Sequence, residues 1–226
     1  MTHEALESLY PFLHGAKQDP GRLEQALLDA VRLKAEASVA VKSAFFERHA
    51  GPVVAMAHAI AAIYRRDGRL FSMGNGGSSC DAAHIAVEFE HPITAGRPAL
   101  AAVNLVADTA MLTAVGNDVG IDHIFVRPLI ALARRGDGLI GVSTSGNSAN
   151  LLAAFATAKR LGVATFGLSG HTGGAMAASA DLDHCLVVES DSVHRIQETQ
   201  VVIYHILWDL VHTLLADERG GLASTS

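Results

Sequence analysis

From Gly68 onward, short apolar runs alternate with longer stretches of helical spacing, and this alternation limits the possible folds more than any other feature. Five runs have the length and composition of strands, at residues 69–73, 99–105, 138–143, 164–169 and 185–188. Helical stretches separate them, near residues 79–89, 108–115, 124–133 and 149–161. Repeated strand-helix-strand units place strands parallel to one another, with right-handed crossovers. We therefore predict an α/β fold with a five-stranded parallel sheet.

The segments that flank this repeat are predicted to be helical or irregular. Two helices are expected before the first strand, one beginning near Leu23 and one over residues 53–64, and a long helix over residues 195–215 closes the fold. Residues 1–21 contain several prolines and glycines and are predicted to be an appended arm. Residues 217–226 are small and polar and are predicted to be a flexible tail. One domain, residues 22–216, lies between them.

Composition excludes several classes of partner and location. The net charge is -6, without a long run of like charge, so a nucleic-acid partner is not expected. There are only two cysteines, Cys80 and Cys185, and the N-terminus lacks a signal-peptide pattern, so a cytoplasmic protein is predicted. The apolar stretches fall short of the roughly 20 residues that a membrane span needs. A soluble protein without a membrane partner is therefore expected.

A glycine-rich turn, Gly-Asn-Gly-Gly-Ser-Ser at residues 74–79, follows the first predicted strand and leads into a helix. Unpaired N–H groups at such a helix start can hold an anion or a polar ligand. An ordinary tight turn is an equally good interpretation of the sequence. Its spacing matches neither the dinucleotide fingerprint nor the Walker loop, so NAD and ATP are disfavoured.

A serine-rich turn, Ser-Thr-Ser-Gly-Asn-Ser-Ala-Asn at residues 143–150, follows the third predicted strand. A helix needs one capping hydroxyl, so a cap explains Ser148 but leaves Ser143, Thr144 and Ser145 without a purpose. This composition predicts a phosphate cradle. Both turns follow strands of one parallel sheet, so they should lie at its carboxyl edge and could enclose one ligand.

Two pairs of polar residues have spacings that place each pair on one helix face. His84 and Glu88 are four residues apart, and Gln197 and His205 are eight apart in the closing helix. Their nitrogen and oxygen atoms suit a zinc-like ion. The alternatives are a solvated hydrogen bond between His84 and Glu88 and a packed core histidine at His205.

Four separated motifs resemble the phosphoheptose isomerases, which contain a sugar-isomerase (SIS) domain. They are GNGGSSCDAAHIAVE from residue 74, VGND at 115–118, STSGNSAN at 143–150 and RIQE at 195–198. The similarity runs from about residue 23 to 215. It implies a three-layer αβα sandwich of the flavodoxin-like type and a homotetramer, with the N-terminal helices packed against another subunit.

The resemblance also implies a reaction and a role for each site residue. The reaction is the conversion of sedoheptulose 7-phosphate to D-glycero-D-manno-heptose 7-phosphate through an enediol, with Glu88 as the base and His205 as its acid-base partner. One zinc ion per subunit, catalytic or modulating, would be held by His84, Glu88, Gln197 and His205. The implied substrate-binding residues are Asn75, Gly76, Gly77, Ser78, Glu88, Asn117, Asp118, Ser143, Thr144, Ser145, Ser148 and Gln197.

The sequence departs from the family pattern at two places, and two alternatives stay open. Glu90, His91 and Pro92 stand where the family has Thr-Gly-Arg, and His194 stands where it has Asp. One alternative is an isomerase of a different ketose phosphate. The other is a non-catalytic SIS module that senses phosphosugars or bridges protein partners. Such modules typically lack the four acid-base and ligand residues, so an enzyme is favoured.

Overall fold

The computed structural model describes residues 20–218, and these form five strands and seven α-helices. The strands are β1 (Leu70–Gly74), β2 (Ala102–Asn104), β3 (Gly138–Ser143), β4 (Ala164–Gly170) and β5 (His184–Val188). The helices are α1 (Pro20–Tyr64), α2 (Gly77–Glu90), α3 (Thr109–Asp118), α4 (Val126–Leu132), α5 (Ala149–Leu161), α6 (Gly174–Ala178) and α7 (Val193–Glu218). The short α6 and a 3-10 turn at Ile121–His123 were not expected from the sequence.

All five strands are parallel and follow the order β2-β1-β3-β4-β5. This confirms the predicted five-stranded parallel sheet, and the order is that of the flavodoxin-like folds. The direction of strand succession reverses between β1 and β3, which are neighbours. In open parallel sheets, ligands bind outside the carboxyl ends of the strands at this reversal point. The two turns that the sequence singled out follow these two strands.

The sheet lies between two apolar layers. Every residue of β1 and of β3 is buried, which explains why both strands are nearly continuous apolar runs in the sequence. Ile63, Ile85 and Ile203, from α1, α2 and α7, belong to the core on one face. Val126 and Leu151, from α4 and α5, belong to the core on the other face. The arrangement confirms a three-layer αβα sandwich.

The prediction of two helices before the first strand is wrong, because one helix, α1, spans residues 20–64 and contains Pro52. A proline inside a helix removes one hydrogen bond and crowds the preceding turn, so a break was expected there. Phe45 and Val53 lie eight residues apart on the two sides of this position, and both are buried in the same core. Packing of both segments on one apolar face keeps the helix continuous.

The chain divides into two compact units between Val39 and Ala40, inside α1, and the whole sheet lies in the second unit. The predicted arm at residues 1–21 and the predicted tail at residues 217–226 fall almost entirely outside the described residues. The predicted domain at residues 22–216 therefore stays a prediction.

The closing helix α7 is predominantly apolar. Within residues 20–218 it is the one helix whose length and composition would allow a membrane span, at Val193–Ala216. Half of this window is buried inside the protein, as in the core helix of a globular fold. The same helix carries Gln197 and His205.

Asp183 joins the start of β5 to β4, and this contact should make stability depend on pH. Its carboxylate accepts hydrogen bonds from the Thr165 backbone N–H (2.9 Å), the Thr165 hydroxyl (3.1 Å) and the Lys159 ammonium. Burial alone would raise the pKa of Asp183, but these donors outweigh it and lower the pKa. The stabilisation is therefore complete above the unfolded-state pKa of about 3.9 and is lost as pH falls through the lower folded-state value.

We expect Asp183→Asn to lower the urea midpoint at pH 7, and the difference from wild type to narrow below about pH 4. Asp191→Asn changes an exposed carboxylate and serves as the control. A difference that is constant between pH 7 and pH 3 would contradict the proposed contribution of the Asp183 charge.

Candidate functional site

The glycine-rich and serine-rich turns lie side by side, as predicted, because β1 and β3 pair in parallel with Gly74 opposite Val142. Asn75 in the first turn and Asn150 at the start of α5 exchange two amide hydrogen bonds, of 2.9 and 3.0 Å. This reciprocal pair fixes the two turns relative to each other. The two turns therefore form one continuous wall at the carboxyl edge of the sheet.

Two glycines let other groups approach the first turn closely. A Cβ on Gly74 would lie 2.2 Å from the carbonyl oxygen of Ser78, so only glycine lets the strand pass so near the first turn of α2. A Cβ on Gly77 would lie 2.5 Å from Nε2 of Gln197. The Gln197 amide from α7 therefore reaches the glycine-rich turn within the same chain.

The hydroxyl groups of Ser143 and Ser148 in the second turn face each other, and the Ser148 hydroxyl does not cap the helix. The Ser143 hydroxyl lies 3.2 Å from that of Ser148 and accepts a hydrogen bond from the Gly146 N–H, also at 3.2 Å. Ser148 occupies the N-cap position of α5 but its side chain makes no capping bond, so a cap does not account for it.

The first N–H groups of an α-helix have no partner inside the helix. In α5 the N–H groups of Leu151 and Leu152 donate to the Ser148 carbonyl, both at 3.1 Å. The N–H groups of Ala149 and Asn150 have no such bond among the described residues, and together with the nearby hydroxyls they can bind an anion.

His84 and Glu88 from α2 come together with His205 from α7. Nε2 of His84 lies 3.1 Å from Oε1 of Glu88 and 3.5 Å from Nε2 of His205. All three residues are partly buried, and among residues 20–218 they form the one group of three histidine, cysteine or acidic side chains with donor atoms all within 4.8 Å. One chain thus supplies both halves of the cluster, from α2 and α7.

The spacing of these donors fits a small tetrahedral metal ion. Bonds of about 2.0–2.1 Å to zinc place neighbouring donors roughly 3.3 Å apart. The two measured separations, 3.1 and 3.5 Å, lie on either side of that value. Two imidazole nitrogens and one carboxylate oxygen are also a donor set that zinc commonly uses. The residues present therefore fit a divalent metal ion.

A buried tyrosine, Tyr204, contacts His84 and orients its ring. The sequence analysis missed this residue. The Tyr204 hydroxyl lies 2.9 Å from Nδ1 of His84, while Nε2 of the same ring faces Glu88. Asp81, which lies one helical turn before His84 and is 8% exposed, interacts electrostatically with both Tyr204 and His84. The spacing of Asp81 from His84, and the position of Tyr204 next to His205, are signals that could have found both residues.

A tryptophan from α7 binds the backbone of α2 near its C-terminal end. The Trp208 indole N–H donates a hydrogen bond of 2.7 Å to the backbone carbonyl of Glu88. The Arg97 guanidinium lies 4.4 Å from the centre of the Trp208 ring and pairs with Asp209 at 2.5 Å. The segment that follows Glu88 is therefore pinned to α7, and the Glu88 backbone is fixed by contacts outside its own helix.

The surroundings of His205 favour its neutral imidazole form. Burial lowers the pKa of His205, the neighbouring His84 lowers it further, and Glu88 partly opposes both effects. Burial raises the pKa of Asp81, while the Tyr204 hydroxyl and His84 act in the opposite direction. Burial and the Asp81 charge raise the pKa of Tyr204 well above its usual value, so the phenol stays protonated.

Asn117 and Asp118 remain apart from this network. Both are exposed at the end of α3, and the Asn117 amide donates a hydrogen bond of 2.7 Å to Asp118. Within residues 20–218 neither side chain bonds to the glycine-rich or serine-rich turn. Their expected role as sugar ligands stays a prediction.

Comparison with known proteins identifies the family of this fold and site. The SIS domain profile matches residues 35–170. A phosphoheptose isomerase from a Roseiflexus species is 42% identical over 183 residues, which cover 81% of this chain and 92% of the relative.

Two solved structures are also similar to this chain. The phosphoheptose isomerase of Neisseria gonorrhoeae superposes with a TM-score of 0.77 at 36% identity, covering 83% of this chain and 99% of that one. The phosphoheptose isomerase of Francisella tularensis gives 0.78 at 32% identity, covering 82% and 98%. The chain therefore belongs to the phosphoheptose isomerase family of SIS-domain proteins.

Proposed function

We propose that this protein converts sedoheptulose 7-phosphate to D-glycero-D-manno-heptose 7-phosphate through an enediol. The observation that carries the proposal is the meeting of Glu88 and His205 beside two turns that can bind a phosphorylated sugar. The chain's similarity to phosphoheptose isomerases over most of its length supports the same reaction.

Glu88 is the proposed base, because one of its carboxylate oxygens remains available. Oε1 faces His84, whereas Oε2 makes no hydrogen bond to the described residues. Oε2 would take the proton from the carbon next to the substrate carbonyl, and His205 would move a proton at the adjacent oxygen. Each acid-base contribution of this kind is typically worth about 10²–10⁴-fold in rate.

The serine-rich turn is the proposed phosphate site. The hydroxyls of Ser143, Thr144, Ser145 and Ser148 and the unpaired N–H groups at the start of α5 would share the phosphate oxygens. The glycine-rich turn, with Asn75, Gly76, Gly77 and Ser78, would contact the sugar chain together with Gln197. Asn117 and Asp118 would complete the sugar site from α3.

Zinc is the proposed metal, one ion per subunit, held by His84, Glu88 and His205 with Gln197 as the fourth ligand. When bound, zinc would polarise the carbonyl oxygen and stabilise negative charge on the enediolate. Because Glu88 would serve as both ligand and base, assays with zinc and with a chelator separate a catalytic from a modulating role.

Tyr204→Phe should weaken metal binding, because the hydroxyl fixes the orientation of the His84 ring. Loss of a partner that orients a ligating histidine commonly lowers metal affinity 10–100-fold, and we expect a loss of about this size for zinc. Competition with a chromogenic chelator measures it independently of turnover. The matched control is Tyr64→Phe, which removes a buried hydroxyl that has no hydrogen-bond partner within residues 20–218. Equal zinc affinity in wild type and Tyr204→Phe would contradict the role of the hydroxyl.

A cytoplasmic homotetramer is the proposed assembly. Residues 20–39 of α1 carry large apolar side chains that are 43–68% exposed, which a second subunit would cover: Leu23, Leu27, Leu28, Val31, Leu33 and Val39. Sedimentation equilibrium of the intact protein tests the tetramer.

The decisive experiment is the isomerisation of sedoheptulose 7-phosphate by purified protein, with added zinc and with a chelator, followed by product analysis. Parallel assays with five- and six-carbon ketose phosphates test the alternative substrates, because Pro92 stands where the family has an arginine. Tight phosphosugar binding without turnover would instead favour the non-catalytic module. Faster turnover of a shorter ketose phosphate would overturn the seven-carbon assignment.

A further inference from the structure

A second cleft lies at the opposite edge of the sheet from the glycine-rich and serine-rich turns. Its volume is about 570 Å³, and its walls are the turn before β1, the turn before β3 and Gly162 at the end of α5. A six-residue strand such as β3 is about 20 Å long. A small ligand in this cleft therefore cannot touch the serine-rich turn, and the two sites are separate.

Hydrogen bonds hold the walls of this cleft in place. The Asp137 carboxylate, 4% exposed, accepts the backbone N–H of Arg69 (2.9 Å) and of Arg134 (2.8 Å) and pairs with the Arg69 guanidinium at 3.2 Å. The Gly136 N–H donates to the carbonyl of Gly162 at 3.0 Å. All three wall segments are thus tied together, so the cleft is preformed.

The cleft is positively charged although the chain as a whole carries a charge of -6. Four arginines and two aspartates line it, which leaves a formal charge of +2: Arg66, Arg69, Arg134, Arg135, Asp67 and Asp137. Asp137 already has three N–H donors from its neighbours. These donors therefore largely compensate the negative charge of Asp137 within the wall of the cleft.

A role in capping helices explains part of this arrangement. Helices α1, α4 and α5 end close to the cleft, and cations are favourable near helix C-termini. The Arg134 guanidinium does donate to the carbonyls of Ala131 (3.3 Å) and Ala133 (2.9 Å). The guanidinium groups of Arg66 and Arg135, however, have no hydrogen bond or ion pair to any residue within 20–218. Their donors remain available to a ligand.

We propose that this cleft binds a small metabolite that carries two or more phosphate groups. One guanidinium group can bind two phosphate oxygens at once. Those of Arg66 and Arg135 line a preformed cavity and have no other partner within residues 20–218. The volume lies within the usual range for small-molecule sites. Among residues 20–218 no aromatic side chain lines the cleft, so the proposed recognition rests on the phosphates and not on stacking with a base.

Isothermal titration of the intact protein with inorganic pyrophosphate tests this site. We expect wild type to bind pyrophosphate, and Arg66→Gln and Arg135→Gln each to bind it at least tenfold more weakly. Arg127→Gln is the matched control, because Arg127 is also an exposed arginine without a partner among the described residues but lies outside the cleft. Ser148→Ala should keep the affinity, which separates this site from the serine-rich turn.

Two results would overturn the proposal. One is the absence of pyrophosphate binding to wild type, together with lower melting temperatures of the arginine variants, since the arginines would then only stabilise helix ends. The other is binding that Ser148→Ala weakens and the two arginine variants leave unchanged, since the serine-rich turn would then be the anion site.

Discussion

Glu88→Gln is expected to lower the turnover number on sedoheptulose 7-phosphate by about 10²–10⁴-fold, the usual contribution of a general base. Glutamine keeps the size and the hydrogen-bonding oxygen of the side chain but cannot take up the substrate proton. The Trp208 bond to the backbone carbonyl at position 88 does not depend on the side chain, so the local fold should persist. Steady-state assays on the purified variant measure the loss.

The serine-rich turn follows β3, whereas Glu88 lies on helix α2, so the affinity for the sugar phosphate should stay within a few-fold of wild type. Glu90→Gln is the matched control, because Glu90 lies on the same helix, is exposed and belongs to neither the cluster nor the turns. Zinc content must be measured in parallel, since glutamine can also ligate a metal. Turnover retained in Glu88→Gln would remove Glu88 from the role of base.

The sequence predicts the sheet well because the strands of a parallel sheet are buried on both faces. β3 has the predicted bounds, Gly138–Ser143, and every one of its residues is buried. β2 is shorter than predicted, at Ala102–Asn104. It is an edge strand that pairs only with β1, so its apolar flanks are not held in a ladder on the other side. Strand length at an edge depends on tertiary pairing, which apolar runs do not encode.

The sequence predicts the cluster in part, because helical phase shows which residues share a face but not what that face meets. The four-residue spacing of His84 and Glu88 predicted a shared face, and their side chains lie 3.1 Å apart. Gln197 and His205, eight residues apart on α7, reach Gly77 and His84, which both belong to α2. The contact of Tyr204 with His84 joins two helices that are 120 residues apart in the chain. Nothing in either local pattern encodes this crossing.

The serine-rich turn shows a different limit of sequence reasoning. Ser148 stands where a capping residue is expected, yet its hydroxyl lies beside Ser143 and caps nothing. Whether the Ser148 hydroxyl caps the helix or contacts Ser143 depends on the backbone conformation of the turn. Gly146 governs that fold, because its φ of 67° is a left-handed conformation that side chains other than glycine rarely adopt.

Gly146→Ala is expected to distort the serine-rich turn strongly. A Cβ at this position would lie 2.0 Å from the carbonyl oxygen of Gly173 and 2.6 Å from its carbonyl carbon. Both are backbone atoms that cannot rotate away, so the turn itself must move. The left-handed backbone costs about 1–2 kcal/mol and the overpacking about 1–3 kcal/mol, so we expect a loss of about 2–5 kcal/mol in the free energy of unfolding. Urea unfolding measures it.

Gly96→Ala is the control that separates backbone strain from the collision. Gly96 also has a positive φ, of 82°, but a Cβ there would meet nothing within 4 Å, so only the 1–2 kcal/mol of strain should appear. Movement of the turn in Gly146→Ala should also raise the KM for the sugar phosphate at least tenfold, because the Ser143 hydroxyl bonds to the N–H of residue 146. Gly96→Ala should leave the KM unchanged. Equal losses of stability in the two variants, with an unchanged KM in both, would show that the turn tolerates the methyl group and that its geometry does not control substrate binding.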